Sequence, residues 1–118
     1  MIVFFSKSNN TQRLVNNLSH ESVSIFDYNG VDEYVLITPT YFFGEVPIEV
    51  QDFLKQHSHK MIGVIACGNK NWGEYFGKAG DIISQQYSVP LLYKVELSGN
   101  KKDIQNIENI LRKEDSFD

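Results

Sequence analysis

Four short apolar runs punctuate the chain: Ile2-Val3-Phe4-Phe5, Tyr34-Val35-Leu36-Ile37, Met61-Ile62-Gly63-Val64-Ile65-Ala66 and Leu91-Leu92-Tyr93-Lys94-Val95. Each is rich in β-branched or aromatic residues. The first three are continuously apolar, which marks strands buried on both faces. A weaker alternating run, Val23-Ser24-Ile25-Phe26, predicts an edge strand. Between the runs, residues recur at helical spacing. Thr11, Leu14, Val15 and Leu18 share one face with Arg13, Asn16 and Asn17 opposite. Val50, Phe53 and Leu54 follow Pro47, a residue suited to a first helical turn. Phe76, Ala79, Ile83 and Tyr87 form a third stripe, and Ile104, Ile107, Ile110 and Leu111 a fourth. The tail from Lys113 to Asp118 is expected to fray.

Strands and helices in this order predict a doubly wound α/β fold. The segment between Phe26 and Tyr34 is too short for a crossover helix. Ligands of such sheets bind at the carboxyl ends of the strands, so the loops after Phe5, Ile37 and Ala66 become the candidates.

Composition narrows the class without changing that picture. At 118 residues the chain is expected to form one domain over 1–118. Its 42% hydrophobic and 22% charged residues exclude disorder and coiled coil. A net charge of −4 argues against a nucleic-acid-binding surface. A single cysteine, Cys67, excludes an internal disulfide and a multi-cysteine zinc site, and it suits a reducing cytoplasm. No apolar run approaches the ~18–20 residues of a membrane span, and the start at Ile2-Val3-Phe4-Phe5 is too short and uncharged for a signal peptide. The expected location is cytoplasmic.

The three loops are unusual in composition. Ser6-Lys7-Ser8-Asn9-Asn10-Thr11 sets hydroxyl and amide side chains at a helix N-terminus, where backbone N–H groups and the helix dipole favour an anion such as phosphate. It holds no glycine and matches neither a Walker A loop nor a GxGxxG fingerprint. The same residues also serve as helix caps. Thr38-Pro39-Thr40-Tyr41-Phe42-Phe43-Gly44 places three aromatics in a row on a loop. Exposed aromatics call for a cover, from a flat ring system, a protein partner or their own folding inward over the helices. Cys67-Gly68-Asn69-Lys70-Asn71-Trp72-Gly73 and the following Phe76 combine close-approach glycines, amide hydrogen-bonding groups and the single tryptophan. That stretch also reads as a capped helix start with Trp72 packing inward. Taken together, the three loops suit a ligand with a phosphate tail and a planar, hydrogen-bonding head, of which flavin mononucleotide (FMN) is the leading candidate.

Several stretches carry a resemblance: Gly68-Asn69-Lys70-Asn71-Trp72-Gly73-Glu74, Ala79-Gly80-Asp81-Ile82-Ile83-Ser84, Val89-Pro90-Leu91-Leu92-Tyr93-Lys94-Val95-Glu96-Leu97-Ser98-Gly99, and Gly44-Glu45-Val46-Pro47 before the second helix. On these the chain resembles the flavodoxin-like fold and, within it, the NrdI family, flavoproteins that serve class Ib ribonucleotide reductases. The resemblance implies a five-stranded parallel sheet ordered 2-1-3-4-5 with helices on both faces. It implies FMN with its phosphate on Ser6, Ser8, Asn9, Asn10 and Thr11. The isoalloxazine would lie between Thr40–Gly44 and Asn69–Gly73, with Trp72 as the stacking ring. The implied role is to react in the reduced form with oxygen and pass oxidant to the reductase's small subunit. A dimanganese site there generates a tyrosyl radical. The implied electron donor is a flavin or ferredoxin-type reductase. Such a protein acts on a protein partner rather than as a stand-alone metabolic enzyme.

Two positions depart from the family pattern. Asn9 stands where flavodoxins carry glycine, and Asn tolerates left-handed backbone angles. Phe42 fills a stretch where relatives place a glycine, and a peptide flip there costs more about a non-glycine residue. A general flavodoxin-type electron carrier and a flavin-free interaction module are the competing readings. His57-Ser58-His59 has ligand-like spacing without a further His or Cys nearby, and is expected to be solvated.

Overall fold

Neighbouring residues of each buried strand point to opposite faces, and this period of two divides the core. Val3, Tyr34, Leu36 and Val64 face one side, where they meet Val50, Phe53, Leu54, Ala79 and Ile83. Ile2, Phe4, Val35, Ile37, Ile65 and Cys67 face the other and meet Leu14, Val15, Ile107 and Leu111. Continuous apolar runs are therefore required, because both faces are covered.

The structure is a computed structural model that describes residues 1–115. Five strands, β1 (Ile2–Phe4), β2 (Ser22–Ser24), β3 (Tyr34–Pro39), β4 (Met61–Gly68) and β5 (Leu91–Glu96), form one sheet in the order β2-β1-β3-β4-β5. Every pairing is parallel. Helices α1 (Asn10–Asn16) and α4 (Lys101–Asp115) cover one face, and α2 (Ile48–His57) and α3 (Lys78–Tyr87) the other. Short 3₁₀ turns occupy Ser58–Lys60 and Lys70–Tyr75. No described helix is long and apolar enough to cross a membrane.

The expected order and layering are found, with local differences. The edge strand is Ser22–Ser24 and stops short of Phe26, which is exposed. Phe76 does not join the α3 stripe, because Gly77 at φ 63° turns the chain before the helix begins at Lys78. His57 is not simply solvated, since its ring packs 5.3 Å from Tyr28 and 5.1 Å from Phe53. Of the tail expected to fray, Lys113 to Asp115 continue α4, and 116–118 lie outside the described residues.

Candidate functional site

An all-parallel sheet delivers every strand's carboxyl end to one edge. The register sets Pro39 beside Cys67, and Gly68 beside Glu96. The loops after β1, β3, β4 and β5 consequently leave from neighbouring positions. A cavity of about 180 Å³ lies where they meet, lined by residues of all four, among them Ser8, Thr11, Thr40, Gly68, Trp72 and Leu97.

The β1–α1 loop is shaped by Asn9, which holds φ 70° and ψ −18°. Its carbonyl accepts the Arg13 N–H at 2.9 Å, starting the helix. The Ser6 hydroxyl accepts the Gln12 N–H at 3.1 Å, so Ser6 ties down the first turn. Ser8, Asn10 and Thr11 face the cavity, whereas Lys7 is exposed. Thr11 is buried and its hydroxyl bonds the Cys67 sulfur. Burial pushes the Cys67 thiol up to about 12, and the Thr11 bond offsets part of that rise. Cys67 is thus a neutral, apolar part of the cavity wall.

After β3 the chain makes a tight turn. The Tyr41 N–H donates to the Glu45 carbonyl at 2.9 Å, while the Tyr41 carbonyl accepts from the N–H groups of Gly44 at 3.0 Å and Glu45 at 2.7 Å. Phe42 sits in this turn at φ 45° and Gly44 at φ 92°. Gly44 needs to be glycine for a second reason: a Cβ there would lie 2.8 Å from the Lys78 Cβ. The turn points Phe42 and Phe43 outward, at 64% and 66% exposure, so they have not folded inward over the helices.

The β4–α3 loop is fastened to its neighbour. The Lys70 N–H donates to Glu96 Oε2 at 3.1 Å and the Leu97 N–H donates to the Gly68 carbonyl at 2.8 Å. Asn69 accepts the Asn71 N–H on its side-chain oxygen at 2.9 Å. Trp72, 42% exposed, lines the cavity and meets the Phe43 ring edge-on at 5.3 Å. Phe43 also meets Tyr75 at 5.7 Å, so an aromatic group joins the two loops at the cavity mouth.

Two polar atoms of cavity-lining residues, Thr40 Oγ1 and the Tyr41 hydroxyl, are buried and left without a hydrogen-bond partner among the described residues. A buried polar group left unpaired costs about 1–3 kcal/mol. Burial, then the nearby Glu49 charge, raises the Tyr41 pKa, so this phenol stays neutral at ordinary pH. Hydroxyls, amides, a glycine backbone and an aromatic ring at the end of a parallel sheet are the donor set that a phosphate-bearing planar heterocycle requires. The cavity residues fit a flavin.

Of the residues singled out from sequence, Ser8, Asn10, Thr11, Thr40, Tyr41, Cys67, Gly68, Asn69 and Trp72 come together on the cavity. Thr38 belongs to the core, with its hydroxyl donated to the Pro39 carbonyl at 3.0 Å. Phe76 lies beyond Gly68 in the neighbouring hollow, where the Lys70 ammonium stands 6.0 Å from its ring. Gly73, at φ 58°, shapes the turn after Trp72. Pro39 and Leu97 line the cavity without having been singled out. Leu97 was reachable by topology, because the carboxyl end of β5 must emerge beside that of β4.

Comparison with known proteins agrees with this architecture. The family model described as NrdI flavodoxin-like matches residues 2–109. The chain is 44% identical over 120 residues to protein NrdI of Bacillus licheniformis, covering 95% of this chain and 90% of that one. It is 41% identical over 106 residues to protein NrdI of Macrococcus caseolyticus, covering 88% and 82%. Among solved structures, a short-chain flavodoxin associated with a bacterial microcompartment superposes with a TM-score of 0.74 at 21% identity, covering 94% of this chain and 92% of that one. Two-electron reduced Megasphaera elsdenii flavodoxin superposes at 0.64 and 16% identity, covering 92% and 93%. At those identities the two structures speak for the fold alone.

Proposed function

The chain belongs to the NrdI flavodoxin-like family, and from that premise we propose that it binds FMN in the four-loop cavity and serves a class Ib ribonucleotide reductase. The observation that carries the reading is the cavity itself, where Ser8, Asn10, Thr11, Thr40, Asn69 and Trp72 from separate loops meet at the carboxyl edge of a parallel sheet. FMN, when bound, supplies the redox chemistry by taking up and releasing electrons. The protein's part is to bind, orient and shield.

Ser8, Asn10 and Thr11 would hold the phosphate at the start of α1, with Ser6 and Asn9 setting the shape of that loop. Thr40 and Asn69 would meet the hydrogen-bonding edge of the ring system. Trp72 would cover an apolar face, held in place by Phe43. Lys7 and Lys70 are exposed in the loops around the cavity and favour negative charge there over what acidic surroundings would allow. The outward Phe42 and Phe43 rings give a protein partner an apolar surface beside the cavity. That partner is the manganese-loaded small subunit of the reductase, with a flavin or ferredoxin-type reductase as electron donor.

The test is activation. The FMN-loaded, reduced protein mixed with oxygen and a manganese-loaded class Ib small subunit is expected to generate a tyrosyl radical detectable by electron paramagnetic resonance. Absence of radical, with FMN bound and reduced, would reduce the protein to a general electron carrier.

A further inference from the structure

Leu97 follows β5 at φ 54°, a region that leucine rarely occupies, and it is 45% exposed. Left-handed backbone costs free energy for a residue with a Cβ, and so does apolar surface left in water. Neither cost is returned by packing, because Leu97 lies outside both core clusters. The conformation is imposed from two sides. The Leu97 N–H donates to the Gly68 carbonyl at 2.8 Å, and the Gly99 N–H closes the turn onto the Glu96 carbonyl at 2.9 Å. Glycine or asparagine would meet the backbone demand with less strain.

Leu97 lines the cavity that Thr40, Gly68 and Trp72 also line, and it lines the hollow beside Lys70 and Phe76 as well. Strain that persists at the rim of a binding cavity points to a role in clamping a ligand. We propose that Leu97 is a ring-contacting residue: its apolar side chain packs against the planar head of the flavin and keeps water from that edge. This rests on the flavin reading above. Leu97 shares the cavity with the phosphate residues Ser8, Asn10 and Thr11, but a leucine side chain offers a phosphate no hydrogen bond or charge, so its contact is with the apolar ring.

Leu97→Asn keeps a residue that accepts the left-handed turn and removes the apolar contact. Fluorescence titrations of the unchanged chain and this variant, each with FMN and with riboflavin, test the inference. Removing one half-exposed leucine contact is expected to raise the dissociation constant about tenfold. The factor is expected to be the same for both ligands, with a melting temperature equal to or above that of the unchanged chain. Several results would overturn the assignment. Dissociation constants within twofold of the unchanged chain would do so, as would a loss confined to FMN. A parallel fall in melting temperature would make Leu97 a structural residue instead. If the unchanged chain binds neither flavin, the flavin reading falls and this inference with it; if both proteins bind equally, this inference alone falls.

Discussion

Phe42 stands at φ 45°, in a turn whose first inner position suits glycine, and its side chain is mostly in water. A β-branched residue fits that region worse than phenylalanine does. Replacing Phe42 changes little packing, so backbone preference decides the outcome. Phe42→Val is expected to be about 1 kcal/mol less stable than Phe42→Gly in urea unfolding, after allowance for the flexibility glycine adds to the unfolded chain. Equal stabilities would show that the turn relaxes around the side chain. At this scale the sequence was legible where a residue type carries a backbone preference. Asn9, read as a stand-in for glycine, holds φ 70°. It was less legible where a hydroxyl has a choice of partners. Thr38 spends its hydroxyl on the Pro39 carbonyl, two residues before Thr40 leaves its own unpartnered.

Among the elements, α3 is held to the sheet by a close approach at Gly80. A Cβ there would lie 2.6 Å from Leu91 Cδ1 and 2.8 Å from the Ala66 Cβ. Two effects oppose each other in Gly80→Ala. Helix propensity favours alanine by ~1 kcal/mol, and overpacking against a buried strand costs ~1–3 kcal/mol. The leucine methyl can swing aside, but Ala66 is part of β4 and cannot. The variant is expected to lose about 1–2 kcal/mol in urea unfolding, and an increase in stability would mean that α3 shifts freely on the sheet. Buried strands were legible from their continuous apolar runs. Element ends were less so: Phe76 has the spacing of the α3 stripe, but the left-handed Gly77 cuts it off. The short β2 carries too few inward residues for its ends to be set by pattern alone.

For the molecule as a whole, the parallel order β2-β1-β3-β4-β5 does most of the functional work, since it brings loops far apart in sequence to one edge. Three of those loops were recognisable by composition. The fourth, which supplies Leu97, was not, because its chemistry is ordinary and only its position beside β4 gives it a role. The function proposed for this edge is FMN binding. Its most direct test is the visible absorption spectrum of the purified chain during titration with FMN. The account predicts stoichiometric binding with a perturbed flavin spectrum, quenched flavin fluorescence and a dissociation constant of about 1 μM or tighter. A colourless protein that leaves the spectrum and fluorescence of added FMN unchanged would contradict it.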